Sequence, residues 1–142
     1  MEKINFINNS VDPVNIPGTE EILIQKKNCI CKIKIGNEII TGFFCKISII
    51  NKNFLMTNYH KIIEEYLNEN KEITILLNDE KEALIIDLTI EREKYFSKEY
   101  DITALEIKEN DKVKEYLEID DKILKDNEEV YYEKNQYIYW II

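Results

Sequence analysis

Short apolar segments recur at close intervals between residues 29 and 107, and turn-forming or polar residues separate each segment from the next. In the first segment, apolar and small side chains alternate with Lys32 and Lys34, which is the two-residue period of a half-buried strand. The segments cover residues 29–35, 38–50, 54–58, 72–77, 83–90 and 102–107. Six strands so closely spaced predict an all-β fold, either an antiparallel barrel or a sandwich.

The chain outside these segments predicts the rest of the architecture. After His60, apolar residues at positions 62, 63, 66 and 67 predict a short helix. Residues 1–27 contain both prolines and little periodicity, which is typical of an irregular N-terminal arm. Residues 108–127 are strongly charged and predict a solvated linker, with one helical turn of contact at residues 113–117.

Composition limits the classes of partner and the location. A chain of 142 residues is long enough for one domain and too short to favour two. The net charge of -9, from 28 acidic and 19 basic residues, argues against binding to nucleic-acid backbones or anionic membranes. The three cysteines are an odd number and are expected to be reduced. Without a secretory signal or a run that could span a bilayer, a cytoplasmic location is expected.

The one histidine, His60, is the natural candidate for acid–base chemistry, because histidine is the side chain whose ordinary pKa permits proton transfer near neutral pH. On periodicity alone, a single histidine after an apolar strand is more often structural than catalytic. Its context favours chemistry: Thr-Gly-Phe at residues 41–43, Thr-Asn-Tyr-His at 57–60 and Asp-Ile-Thr-Ala-Leu at 101–105. Together these segments resemble the first half of a trypsin-like serine peptidase of the chymotrypsin fold.

The resemblance implies roles for two residues and a division of the chain. His60 takes the place of the catalytic general base, and Asp101 takes the place of the carboxylate that orients it. Residues 28–110 become the first barrel, six-stranded, antiparallel and of Greek-key type. Residues 111–142 become the inter-barrel linker and the first strand of a second barrel that is cut short.

The nucleophile that this family needs is absent from the sequence. The family's serine lies in a Gly-x-Ser-Gly segment, whose tight turn also forms the oxyanion hole. The three serines of this chain are Ser10, Ser48 and Ser97, and none precedes a glycine. We therefore expect an endopeptidase fragment that hydrolyses no peptide bond by itself, with a polypeptide as substrate or a protein partner covering the apolar C-terminal strand.

Two alternatives remain open at this stage. The chain could be a catalytically inactive pseudo-protease that acts as a protein-interaction module. A metal site could be assembled from Cys29, Cys31, Cys45 and His60, but this spacing matches no common zinc finger or ribbon, and the cysteines are better explained as small core residues. No metal or other cofactor is therefore expected.

Overall fold

A computed structural model describes residues 16–89 and 91–118 of the chain, and this part is mostly β-structure. Its helices are α1 (Ile16–Asn28) and α2 (Glu64–Glu69), and 3-10 turns cover Ser48–Ile50 and Glu109–Asp111. The strands are β1 (Ile30–Ile35), β2 (Glu38–Ile47), β3 (Lys52–Thr57), β4 (Glu72–Leu77), β5 (Glu82–Asp87), β6 (Lys94–Ser97), β7 (Ile102–Ile107) and β8 (Leu117–Glu118). The expected short helix after His60 is present as α2.

The strands form one sheet that curls into a half-barrel. Its order is β5-β4-β1-β2-β3-β7-β6, and every neighbouring pair along this path is antiparallel. The short strand β8 lies off the path and pairs in parallel with β2. An antiparallel sheet with alternating side chains can bury one face, and the buried side chains of all the long strands meet in a core around Ile33, Phe44 and Ile75.

The two ends of the sheet are consecutive in the chain, since β5 is followed by β6. Backbone hydrogen bonds extend the sheet into the segment that connects β5 to β6. After β5, the Leu88 N–H donates to the Lys71 carbonyl at 2.8 Å, and before β6, the Glu93 carbonyl accepts from the Glu106 N–H at 2.9 Å. Ile86 from β5 lies in the same core cluster as Leu105 from β7. The curl of the sheet therefore brings its two ends to one hydrophobic core.

A buried ion pair ties this connection to the rest of the fold. Arg92 donates two hydrogen bonds to Asp111, at 2.5 and 2.9 Å, and a third to the carbonyl of Glu106 at 2.7 Å. The side chains of Arg92 and Asp111 are 0% and 3% exposed. The Asp111 carboxylate also accepts from the Lys108 amide at 2.7 Å, so the two buried charges are paired, although no described residue hydrogen-bonds Arg92 Nε.

Gly42 allows the close approach of three strands. A Cβ at this position would lie 2.8 Å from Ile33 Cδ1, closer than real Cβ contacts, and 3.0 Å from the carbonyl oxygen of Met56, tighter than most of them. The absence of a side chain at Gly42 therefore permits the backbone of β3 to approach closely.

The N-terminal prediction was wrong for its described part. Residues 16–28 form α1 instead of continuing an irregular arm, and Pro17 lies in the first turn, where a missing N–H leaves no helical hydrogen bond unmade. The helix ends against the sheet, where the carbonyl of Lys27 accepts from the Asn78 amide at 3.2 Å. The rest of the proposed arm lies outside the described residues.

Two predictions further along the chain were also wrong. None of the six predicted strands covers residues 91–100, but Lys94–Ser97 form β6, an edge strand with no fully buried side chain to produce a clear alternation. Residues 113–117 contact the core as expected, with Leu117 buried, but they form no helical turn: residues 113–116 have no regular structure and Leu117 begins β8. The expected linker and strand beyond residue 118 lie outside the described residues.

Candidate active site

The candidate site lies where β3 ends and β7 begins. These strands are antiparallel neighbours, with Thr57 opposite Thr103, so the residues after one strand meet those before the other. His60 and Asp101, 41 residues apart in the chain, therefore lie at the same end of the sheet. The structure brings together both residues that the sequence singled out.

Asp101 holds His60 at two points. His60 Nδ1 lies 2.6 Å from Asp101 Oδ2, and the backbone amide of His60 donates to Asp101 Oδ1 at 2.8 Å. The side-chain amide of Asn58 donates to Oδ2 at 3.1 Å, and the Tyr59 amide donates to the Asp101 carbonyl at 3.2 Å. The carboxylate thus fixes the imidazole ring and the backbone that carries it.

This arrangement determines which ring nitrogen faces outward. An ionised carboxylate only accepts hydrogen bonds, so the neutral imidazole places its proton on Nδ1 and keeps a lone pair on Nε2. No described residue forms a hydrogen bond with Nε2, and the side chain of His60 is 60% exposed. Nε2 is therefore free to accept a proton from a group that approaches the rim.

The backbone of Asp101 adopts the left-handed conformation, with φ of 54°. Aspartate tolerates this conformation better than most residues, and here it turns the carboxylate towards the residues that follow β3. The Tyr100 amide donates to Ser97 Oγ at 3.2 Å and stabilises the same turn.

Hydrogen bonds keep Asp101 ionised. The backbone amide of His60 makes the largest contribution to a lowered pKa of Asp101, and the ring of His60 and the side chain of Asn58 add to it. Partial burial acts in the opposite direction and does not outweigh these bonds. The carboxylate is therefore suited to orient the ring and to stabilise its positive charge.

Two threonines anchor the strand ends beneath the pair. Thr103 Oγ1 donates to the carbonyl of Ile62 at 2.6 Å, and Thr57 Oγ1 donates to the carbonyl of Thr41 at 2.8 Å. The bond of Thr103 is buried and satisfies a backbone acceptor in the interior, whereas the bond of Thr57 is partly buried. Sequence reasoning placed both residues within motifs but did not identify these bonds; a threonine among apolar strand residues was the available signal.

The described residues contain no evident nucleophile beside His60. Ser48 lies in the turn before β3, at the opposite end of that strand, and Ser97 Oγ is engaged by Tyr100. Burial raises the pKa of Cys29 to about 11 and that of Cys31 and Cys45 to about 12, which suppresses the reactive thiolate. Ser10 lies outside the described part of the chain.

Residues 16–89 and 91–118 contain neither a cluster of metal ligands nor a membrane-spanning helix. No group of three or more His, Cys, Asp or Glu side chains there could hold a metal ion. No helix in those ranges is long and apolar enough to cross a membrane.

Comparison with known proteins returned no relative. No protein-family model, no curated protein and no solved structure matches this chain. The resemblance to trypsin-like peptidases therefore stays a prediction, and the interpretation of the site depends on its own geometry.

Proposed function

We propose that His60 and Asp101 are the general base and the orienting carboxylate of a trypsin-like serine endopeptidase, and that a serine from outside these 142 residues completes the site. The observation that carries the proposal is the two-point attachment of Asp101, to Nδ1 and to the backbone amide of His60, at 2.6 and 2.8 Å. An exposed structural histidine needs no such attachment.

The geometry suits each proton transfer of peptide hydrolysis. Nε2 of His60 accepts the proton of the serine hydroxyl as the hydroxyl oxygen attacks the peptide carbonyl, and then returns it to the leaving amine. Water then attacks the acyl-enzyme, and Nε2 of His60 accepts the proton of the water and returns it to the serine oxygen as the acyl group leaves. Asp101 keeps the ring in the required tautomer and stabilises the imidazolium without itself taking the proton.

The strand order supports the same proposal. Strands β1, β2 and β3 form a meander, β7 joins β3, and β4 joins β1. If β5 and β6 are counted as the two halves of one bent strand, the seven-strand path reduces to six strands, with β8 outside it. Six is the number of strands in the Greek-key barrel that the resemblance implies.

The chain alone is expected to be inactive. Removal of a single triad member lowers kcat by on the order of 10⁴-fold or more. This chain also lacks the Gly-x-Ser-Gly turn that forms the oxyanion hole in the family. Activity therefore requires polypeptide that supplies both a serine and backbone donors next to Nε2.

The test uses native protein from the source cells. An antibody against residues 16–118 should detect a species heavier than 17.0 kDa, or a 17.0 kDa species bound to a second polypeptide, and a serine-reactive fluorophosphonate should label that assembly. Labelling should fall by roughly 10³-fold or more in His60→Ala. The matched control is Lys61→Gln, since exposed Lys61 has Glu38, at 3.5 Å, as its one ion-pair partner within residues 16–89 and 91–118. Absence of labelling in every assembly that contains the chain would rule out the peptidase.

A second candidate function is a non-catalytic protein-interaction module. It is favoured by exposed apolar side chains beside the pair, namely Tyr100, which is 71% exposed, and Ile63 and Ile102. Exposed apolar groups that cluster often mark a protein interface. For this function, His60→Ala should leave partner binding intact, whereas Tyr100→Ser with Ile63→Ser should abolish it.

A further inference from the structure

A cleft of about 550 Å³ lies at the opposite end of the sheet from His60. Its walls include Lys46 near the end of β2, Lys52 at the start of β3 and Lys108 directly after β7. Three lysines meet there in a chain whose net charge is -9. Because Glu106 and Glu109 share the lining with them, the cleft is less acidic than the chain as a whole rather than strongly basic.

Among the described residues, only one of the three lysines forms ion pairs. Lys52 is paired with Glu93 and lies 3.9 Å from Glu106. Glu106 is also engaged, because it accepts from the Glu93 amide at 3.0 Å. Lys46 and Lys108 are half-buried and form no ion pair with a described residue. Glu109 is the remaining carboxylate of the lining, and it is exposed to water.

Uncharged hydrogen-bonding groups line the same cleft. Asn53 and Tyr116 lie in the lining, and the Tyr116 ring packs edge to face on Phe44 with 6.3 Å between centroids. Asn51 forms the adjoining rim in a left-handed backbone conformation, with φ of 50°. The wall is therefore held by packing against the core, while lysine amines and asparagine amides supply donors.

We propose that this cleft binds a compact multivalent oxyanion, a phosphate monoester or a small polycarboxylate. Ammonium groups and amide donors are the protein groups that bind phosphate and carboxylate oxygens. The volume falls within the range of roughly 300–1,000 Å³ that small-molecule sites occupy. The site is separate from the His60–Asp101 pair, and its existence does not depend on peptidase activity.

The experiment is an NMR titration of the 142-residue chain with inorganic phosphate in one arm and citrate in the other. Sodium chloride at matched ionic strength measures screening alone. Phosphate or citrate should shift the amide signals of residues 46, 51–53 and 108 with saturation, and chloride should not. If only one anion saturates, that arm identifies the ligand class.

Three variants test the assignment. Lys46→Gln and Lys108→Gln should each weaken the anion by roughly tenfold, because each removes a charged donor. Lys34→Gln is the matched control, since Lys34 is exposed on β1, away from the cleft, and should change nothing. Circular dichroism checks folding, and if one variant unfolds the other serves in its place. Equal weakening by Lys34→Gln, or no saturable shift with either anion, would overturn the proposal.

Discussion

At each end of the β3–β7 strand pair, a basic side chain lies against an acidic one, and the two pairs differ in their exposure to water. At one end His60 and Asp101 are 60% and 40% exposed; at the other, Arg92 and Asp111 are 0% and 3% exposed. Removing one partner of a buried pair leaves an uncompensated charge, whereas exposed pairs contribute little to stability. The buried pair therefore belongs to the fold, and the exposed pair is available for chemistry.

The largest expected effect follows from breaking the buried pair. Arg92→Met should lower the free energy of unfolding by about 3–5 kcal/mol, because Asp111 would stay buried without its partner. Urea denaturation measures the loss. Lys32→Met, which breaks the exposed 2.5 Å contact with Glu80, is the control and should change little.

A second substitution separates burial of the charge from loss of the contact. Because replacing both members of a buried pair with apolar residues is often neutral, Arg92→Met with Asp111→Leu should regain most of the lost stability. A double variant as unstable as Arg92→Met alone would mean that the bonds of these side chains to backbone groups carry the effect.

An intermediate effect is expected beneath the exposed pair. Thr103→Val keeps the side-chain shape but removes the donor to the Ile62 carbonyl, and should cost about 1–3 kcal/mol. Thr74→Val, at a half-buried position of β4, is the control in the same denaturation experiment. If the two substitutions lower the free energy of unfolding equally, the bond from Thr103 to the Ile62 carbonyl does not specifically stabilise the strand ends beneath His60 and Asp101.

The smallest effect concerns the titration of Asp101, followed by NMR of its carboxyl carbon. The pKa should lie below the ordinary value of about 3.9. Since the largest cause is the backbone amide of His60, His60→Ala should raise this pKa only in part. A complete return to the ordinary value would assign the effect to the ring instead.

The sign of the pH dependence follows from that direction. A carboxyl whose pKa is lower in the folded chain contributes stability above its unfolded pKa, and the contribution disappears as the pH falls through the folded value. Asp101→Asn should therefore remove a part of the pH dependence that lies on the acidic side of about pH 4, with no change near neutrality. Urea midpoints measured from pH 2 to pH 7 check this.

Strong periodicity in the sequence predicted β1, β4 and the short helix after His60, because their buried faces alternate or recur clearly. The pairing of His60 with Asp101 followed from a family resemblance rather than from periodicity. A six-stranded barrel of the trypsin type stays a prediction, whereas the mostly antiparallel β-structure is confirmed.

The features that sequence reasoning missed depend on tertiary contacts. Strand β6 has four residues and β8 has two, too few for a period to emerge. The chain has 28 acidic and 19 basic residues, so the sequence alone does not indicate that Arg92 pairs with Asp111. The pair forms because the fold brings these two side chains together. The left-handed turn at Asp101, which places its carboxylate on the His60 amide, likewise has no signature in residue type alone.

The bond from the His60 amide to Asp101 makes the site a reporter of strand alignment. A shift of β7 by one residue along β3 would place Tyr100 or Ile102 where Asp101 now lies and release that amide to water. Hydrogen–deuterium exchange at this one N–H should therefore be slow only while the two strands are correctly aligned. Local opening of this end of the sheet could thus be followed without an activity assay.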